Sequence, residues 1–157
     1  MQIREMKSEE LDDVLELHLE GLKDEIDLLN LIVPGKQVDL TGRVQLKKTI
    51  YQMLHLAECN IFIARTEKEI LGYCLATKRV YPVENPKICG CINGIYIKPD
   101  ARKQKLGSQL FDLAVSWFKS QRVSYVELYH MLNDERAKEF WKKMGFSPIQ
   151  YNCVKYI

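Results

Sequence analysis

The sequence predicts a single mixed α/β domain over residues 1–157. Three observations point there. A chain of 157 residues suits one compact domain, and its 46% apolar share is enough for a sizeable core. Segments that alternate apolar and polar are interleaved with segments of helical spacing. Their order is strand, two helices, three strands, helix, strand, helix, strand, with no repeat and no internal linker.

Met1 to Met6 alternates in parity and reads as an edge strand. Ser8 is a good N-cap, and Glu9 and Glu10 fall in a first turn, where the helix dipole favours acids. Leu11, Val14, Leu15, His18, Leu22 and Ile26 then recur at helical spacing, until Pro34-Gly35 breaks the chain. A second helix is expected over Val44 to Ala57. Ile61–Arg65 and Ile70–Val80 read as strands joined by the polar turn Thr66-Glu67-Lys68-Glu69. Two prolines make Tyr81–Lys87 a loop, and Ile88–Lys98 a fourth, central strand. Leu106 to Trp117 marks a third helix, Val123–Met131 a fifth strand, and Asp134–Met144 a fourth helix closed by Gly145. Phe146–Ile157 is expected to supply one or two last strands.

Composition excludes several classes. With 23 basic and 21 acidic residues the net charge is only +2, which argues against bulk electrostatic binding to nucleic acid. No apolar run is long enough to span a bilayer, and the first residues lack a secretory pattern, so a cytoplasmic protein is expected. Cys59, Cys74, Cys89, Cys91 and Cys153 are odd in number and scattered, and read as small hydrophobes rather than a disulfide framework. Cys89-x-Cys91 lacks zinc-ribbon spacing, and no metal is expected.

Chemistry concentrates in two stretches. In Ile95-Tyr-Ile-Lys-Pro-Asp-Ala-Arg-Lys-Gln-Lys-Leu-Gly-Ser108 a buried strand runs into a basic loop that opens a helix. Unpaired N–H groups at a helix start suit a phosphate, and Lys98, Arg102, Lys103 and Lys105 add cations beside it. Gly107 permits close approach of a ligand. No G-K-[ST] follows the strand, so this is not a P-loop; a solvated turn is the bland alternative. Asp134-Glu-Arg-Ala-Lys-Glu-Phe-Trp-Lys-Lys-Met-Gly-Phe146 is by periodicity an amphipathic helix.

Together the two stretches resemble the GNAT superfamily of acetyl-CoA-dependent N-acetyltransferases. Arg102-Lys-Gln-Lys-Leu-Gly107 resembles its Arg/Gln-x-x-Gly-x-Gly/Ala signature, and Ala137, Gly145 and Phe146 match its second motif. The resemblance implies a mixed, mostly antiparallel sheet flanked by helices, with its fourth and fifth strands splayed around the pantetheine arm. It implies that backbone groups of Ile95, Tyr96 and Ile97 line that arm, with the Ile97 N–H polarising the thioester carbonyl. The loop Arg102, Lys103, Gln104, Lys105, Leu106, Gly107 and Ser108 would hold the pyrophosphate. Acyl transfer would be direct. Three positions depart from the pattern. Lys105 stands for a glycine, and Asp134 for an asparagine that Asn133 could replace. Trp141 stands for the tyrosine that protonates the departing thiolate in many relatives, and an indole N–H is not an acid near neutral pH.

An ammonium acceptor must lose a proton before attack, so a base is expected. The position where many relatives carry a glutamate is Asn93, which cannot serve. The end of the fifth strand offers Glu127, Tyr129 and His130. His18 lies on the apolar face of the first helix, where core packing is the plainer reading. Glu16, Glu20, Asp24, Glu25 and Asp27 would complement a basic amine, or form a solvated face. The expected function is acetyl transfer from acetyl-CoA to an amine of a small molecule or protein, with a homodimer allowed. The alternative is a non-catalytic acyl-CoA sensor of the same fold. An RNA-binding loop is a further rival, disfavoured by the absence of a stacking surface.

Overall fold

The computed structural model describes residues 1–31, 43–56, 58–80, 88–150 and 153. The elements are β1 (Gln2–Glu5), a 3-10 turn (Ser8–Glu10), α1 (Leu11–Asn30), α2 (Arg43–His55), β2 (Cys59–Arg65), β3 (Ile70–Val80), β4 (Ile88–Ile97), a second 3-10 turn (Pro99–Ala101), α3 (Leu106–Ser120), β5 (Tyr125–Leu128) and α4 (Glu135–Lys143). The strands form one sheet in chain order, antiparallel from β1 to β4, with β5 parallel to β4. A parallel neighbour needs a crossover, and α3 supplies it. The predicted fold class is therefore the observed one. The Pro34-Gly35 break and the Tyr81–Lys87 loop lie outside the described residues.

Helices cover both faces of the sheet. On one side α3 and α4 pack Leu110, Phe111, Phe118 and Trp141 onto Phe62, Cys74 and Ile92. On the other, α1 and α2 bring Leu15, Leu17 and Ile50 onto Ile61, Ile63 and Tyr73.

Three boundaries differ from expectation. Ser8 does not cap α1. A 3-10 turn precedes the helix, and the Glu10 carboxylate accepts the Lys7 N–H at 2.8 Å. The cause is the charge around Glu10, which is buried between Arg4, at 2.8 Å, and Arg65. The fifth strand does not reach Met131 but ends at Leu128, because β4 turns away from it there. Residues 146–150 form no strand, and the rest of the expected last strands, residue 153 apart, lies outside the described residues.

That turning away has a definite origin. Ile92 pairs with Ala76 and Gly94 with Leu75, so Asn93 is an extra residue in β4, a β-bulge. Backbone groups of a strand alternate sides, and a bulge inverts the alternation. Before it, the Ile88 carbonyl accepts from Ser124 of the segment leading into β5; after it, the Lys98 N–H donates to the Leu71 carbonyl of β3. Ile95 and Ile97 therefore present their N–H and C=O groups away from β3. β5 does not receive them, since its pairing with β4 ends at Ile92↔Leu128.

Candidate active site

The site is built around this divergence of β4 and β5. Past Ile92 one wall is the outward backbone edge of Ile95 and Ile97, released by β5. Its side chains divide between the two faces: Ile95 and Ile97 join the α3 core, while Tyr96 packs under α1. A Cβ added to Gly21 of α1 would come within 3.1 Å of the Tyr96 ring, so the absence of a side chain there sets how closely the helix crosses β4.

From Ile97 the chain enters the basic loop. Lys103 and Lys105 both lie in the left-handed region, with φ of 64° and 61°. A turn of this kind directs successive N–H groups inward as an anion-binding concavity. Lys105 precedes α3 and makes no side-chain cap, so the helix start lacks a side-chain acceptor for its first N–H groups. Gln104 is exposed, whereas Leu106 is in the core. The Ser108 hydroxyl donates back to the Lys105 carbonyl at 2.9 Å. A Cβ at Gly107 would reach only ordinary contact, 3.4 Å, with the Phe140 ring, so internal packing does not demand a glycine.

The left-handed lysine carries a testable strain. That conformation costs a residue with a Cβ about 1–2 kcal/mol, and glycine's extra unfolded-state freedom returns about 0.5–1. Lys105→Gly is therefore expected to raise stability by about 0.5–1 kcal/mol in urea titration. A drop in stability would contradict the left-handed assignment.

Arg102 is engaged away from the helix start. Its Nε donates to the Ile97 carbonyl at 2.9 Å, its guanidinium carbon lies 5.7 Å from the Tyr96 ring centroid, and Nη2 is 3.5 Å from Asp24 of α1. It lines an open groove of about 530 Å³ with Asp24, Asp27, Leu28, Pro99 and Arg136. The acids of α1 thus divide. Asp24 and Asp27 border this groove, and Glu25 lies close to Asp134 and Asp24. Loss of hydration first, and those two charges next, raise the Glu25 carboxyl above its ordinary range.

The other expected residues are placed as follows. Asn133 donates from Nδ2 to the Leu28 carbonyl at 2.9 Å, and its Oδ1 is buried with no partner among the described residues. Asp134 is the N-cap of α4, accepting the Ala137 N–H at 3.0 Å. Trp141 is only 5% exposed and meets Phe111, Phe140 and Phe146 edge-on, with centroids 4.8–5.6 Å apart. Glu127 is half-buried beside Cys89 and Cys91. Tyr129 is 75% exposed, beyond the end of β5. His130 is exposed too, its Nδ1 donating to the Met131 carbonyl at 2.9 Å. Asn93 accepts from the Thr77 hydroxyl.

One contact was not foreseen. His18 of α1 places Nδ1 2.7 Å from the hydroxyl of Tyr73, a fully buried residue of β3. The only signal in the sequence was a histidine on an apolar helical face; nothing marked Tyr73 as its partner.

Comparison with known proteins agrees with this architecture. Residues 27–146 match the model of the acetyltransferase (GNAT) family. That match covers most of the chain, and the protein belongs to the GNAT acetyltransferase family. No curated protein sequence matches it. Among solved structures, a tetramutant of the BH1408 protein of Bacillus halodurans superposes with a TM-score of 0.81 at 16% identity, covering 100% of both chains. A predicted acetyltransferase of Clostridium acetobutylicum, solved with acetyl-CoA, has a TM-score of 0.81 at 16% identity, covering 99% of this chain and 95% of its own. The aminoglycoside N-acetyltransferase AAC(6')-Iy, in complex with CoA, has a TM-score of 0.68 at 16% identity, covering 99% and 98%. At these identities the likeness is one of fold. Among the described residues no helix is long and apolar enough to cross a membrane, and no cluster of metal-ligating side chains is present.

Proposed function

We propose that the protein transfers an acetyl group from acetyl-CoA to a primary amine. The observation that carries this reading is the continuity of free backbone donors. The edge of Ile95 and Ile97, released by the bulge at Asn93, leads into a left-handed basic loop and an α3 start without a side-chain cap. An extended amide-bearing arm that ends in a diphosphate fits both parts of that surface, the amides against the strand edge and the phosphates at the helix start. Gly107 leaves room for the close approach.

In this reading Ile95 and Ile97 hold the pantetheine arm. The Ile97 carbonyl is already taken by Arg102, so its N–H is the group left for the thioester oxygen. The loop 102–108 holds the diphosphate, with Lys103 and Lys105 adding charge. A CoA thiol has an ordinary pKa of about 8.5, so the thiolate leaves without a strong acid. Trp141, enclosed by three phenylalanines, is not asked to supply one. The same burial is what favours the second reading, an acyl-CoA sensor that does not turn over.

Both readings require cofactor binding. Acetyl-CoA at about 100 times its dissociation constant should stabilise the fold by about 2.7 kcal/mol. A melting curve unmoved by millimolar acetyl-CoA would remove both. Acetyl-CoA consumption with spermidine, glucosamine, free lysine and a peptide with an open N-terminus then separates them: turnover of any amine supports the enzyme, and binding without turnover supports the sensor.

A further inference from the structure

We propose that His18 is the group that takes the proton of the acceptor amine, and that Tyr73 is the positioning residue that holds its ring. The inference rests on the acetyltransferase reading above and adds a base to it.

The geometry is that of an oriented imidazole. His18 Nδ1 is fixed at 2.7 Å from the Tyr73 hydroxyl, and the two rings meet edge-on with centroids 5.9 Å apart. Tyr73 is 3% exposed and cannot swing away. The other ring nitrogen, Nε2, has no protein partner among the described residues, yet it is not sealed in: the one buried side-chain nitrogen or oxygen left without a partner there is Asn133 Oδ1. A histidine that only fills a core has no need of one nitrogen anchored and the other open. A base held by a buried partner does.

The location is also right. A Cβ on Gly94 would stand 3.0 Å from the Tyr73 hydroxyl, so the pair lies against β4 one residue past the bulge and one before Ile95. Gly21, one turn further along α1, rests on Tyr96. His18 therefore sits on the α1 face at the level where β4 leaves β5, opposite the side packed by α3. The titratable groups that face Tyr73 are Cys74 from β3, Tyr96 from β4 and Glu25 from α1. Burial lowers the pKa of His18 below its ordinary 6.5, which keeps the ring neutral, and able to accept a proton, at neutral pH.

The proposal takes the tautomer in which Nδ1–H donates to the Tyr73 oxygen; the lone pair of Nε2 is then free, and the same contact persists when the ring gains its proton. An ammonium N–H bond breaks as Nε2–H forms. The amine nitrogen then bonds the acetyl carbon while the carbon–sulfur bond breaks. Sulfur leaves with the electron pair and ends with the second proton shed by nitrogen, and His18 returns the first to water.

The experiment compares the wild type, His18→Gln and Tyr73→Phe for acetyl-CoA affinity, for melting temperature, and for kcat/KM from pH 5 to 9 on the amine of the panel turned over fastest. The His18 imidazole of the wild-type protein is titrated by NMR alongside. His18→Gln is expected to bind acetyl-CoA within twofold of wild type and to lose about 100-fold in kcat/KM, together with the acid limb of the profile. That limb should lie below pH 6.5, at the pKa read from His18 itself. Tyr73→Phe should lose about tenfold and displace the limb, which a merely structural tyrosine would not do. A His18→Gln rate within threefold of wild type overturns the inference and leaves the acetyltransferase reading standing, as does a limb that does not follow the His18 titration. The limb comparison needs no variant, so it decides the case even if His18→Gln fails to fold. Acetyl-CoA binding without turnover of any panel amine overturns it in favour of the sensor, and no acetyl-CoA binding removes both readings together.

Discussion

Trp141→Ala is expected to destabilise the protein by about 3–5 kcal/mol, the usual cost of emptying an aromatic core site. Total stabilities of domains run to about 5–15 kcal/mol, so this one truncation takes a large share. The expectation follows from position. Trp141 is 5% exposed and makes edge contacts with Phe111 of α3, Phe140 of its own helix and Phe146 after it. It is the ring that fastens α4 to α3. Trp141→Phe keeps a ring in the cluster while removing the indole N–H, and should leave acetyl transfer within about tenfold of wild type. Urea denaturation of the alanine variant and steady-state rates of the phenylalanine variant check the two halves. A stable alanine variant, or a phenylalanine variant slowed more than about a hundredfold with acetyl-CoA affinity intact, would show that the tryptophan serves chemistry instead.

Glu10→Gln is expected to cost about 3 kcal/mol at pH 7 and far less in acid. The Arg4 side chain, then the Lys7 N–H and Arg65, outweigh burial and hold the Glu10 carboxyl at about 2, against its ordinary 4.5. A carboxyl depressed by that much contributes roughly 3 kcal/mol, at about 1.4 kcal/mol per pKa unit. The sign is that of a lowered acid: the contribution is full above pH 4.5 and drains away as pH falls towards about 2. Glutamine removes the counter-charge of both the Arg4 and Arg65 guanidinium groups. Urea midpoints of both proteins at pH 7 and pH 3 test this. The gap should shrink by about half, and a gap that is the same at both values would mean that the carboxylate is not the source of the stability.

Local pattern was enough where local pattern decides structure. Ile70–Val80 is a largely apolar run bounded by turn residues, and the strand spans those residues. Gly145 adopts φ of +87° just past α4, as a helix-ending glycine should. What escaped were features set by partners distant in the chain. Ser8 does not cap the helix as expected, and Glu10 is held by Arg65, 55 residues away, as well as by Arg4. His18 and Tyr73 are separated by the same interval, and no spacing rule joins a helix residue to a strand residue across a sheet face. Asn93 sits inside an apolar run and reads as an ordinary strand position; only the register with β3 shows that it is the extra one. The ends of β5 were misjudged for the same reason, since the partner's departure, not propensity, stops the strand at Leu128.

Asn93 divides β4 into two halves with different obligations. Upstream, the polar backbone is spent within the sheet on both edges. Downstream, one edge is withheld from the sheet and lent outward. A single surplus residue thus converts part of a structural ladder into an adhesive one, while the side chains stay in their proper cores by exchanging parity at the same point. Recognition written into main chain in this way does not depend on which side chains flank it. In the proposed reading, positions such as Lys105 and Trp141 can differ from the family pattern while the main-chain surface offered to the cofactor is kept by the register of β3 and β4.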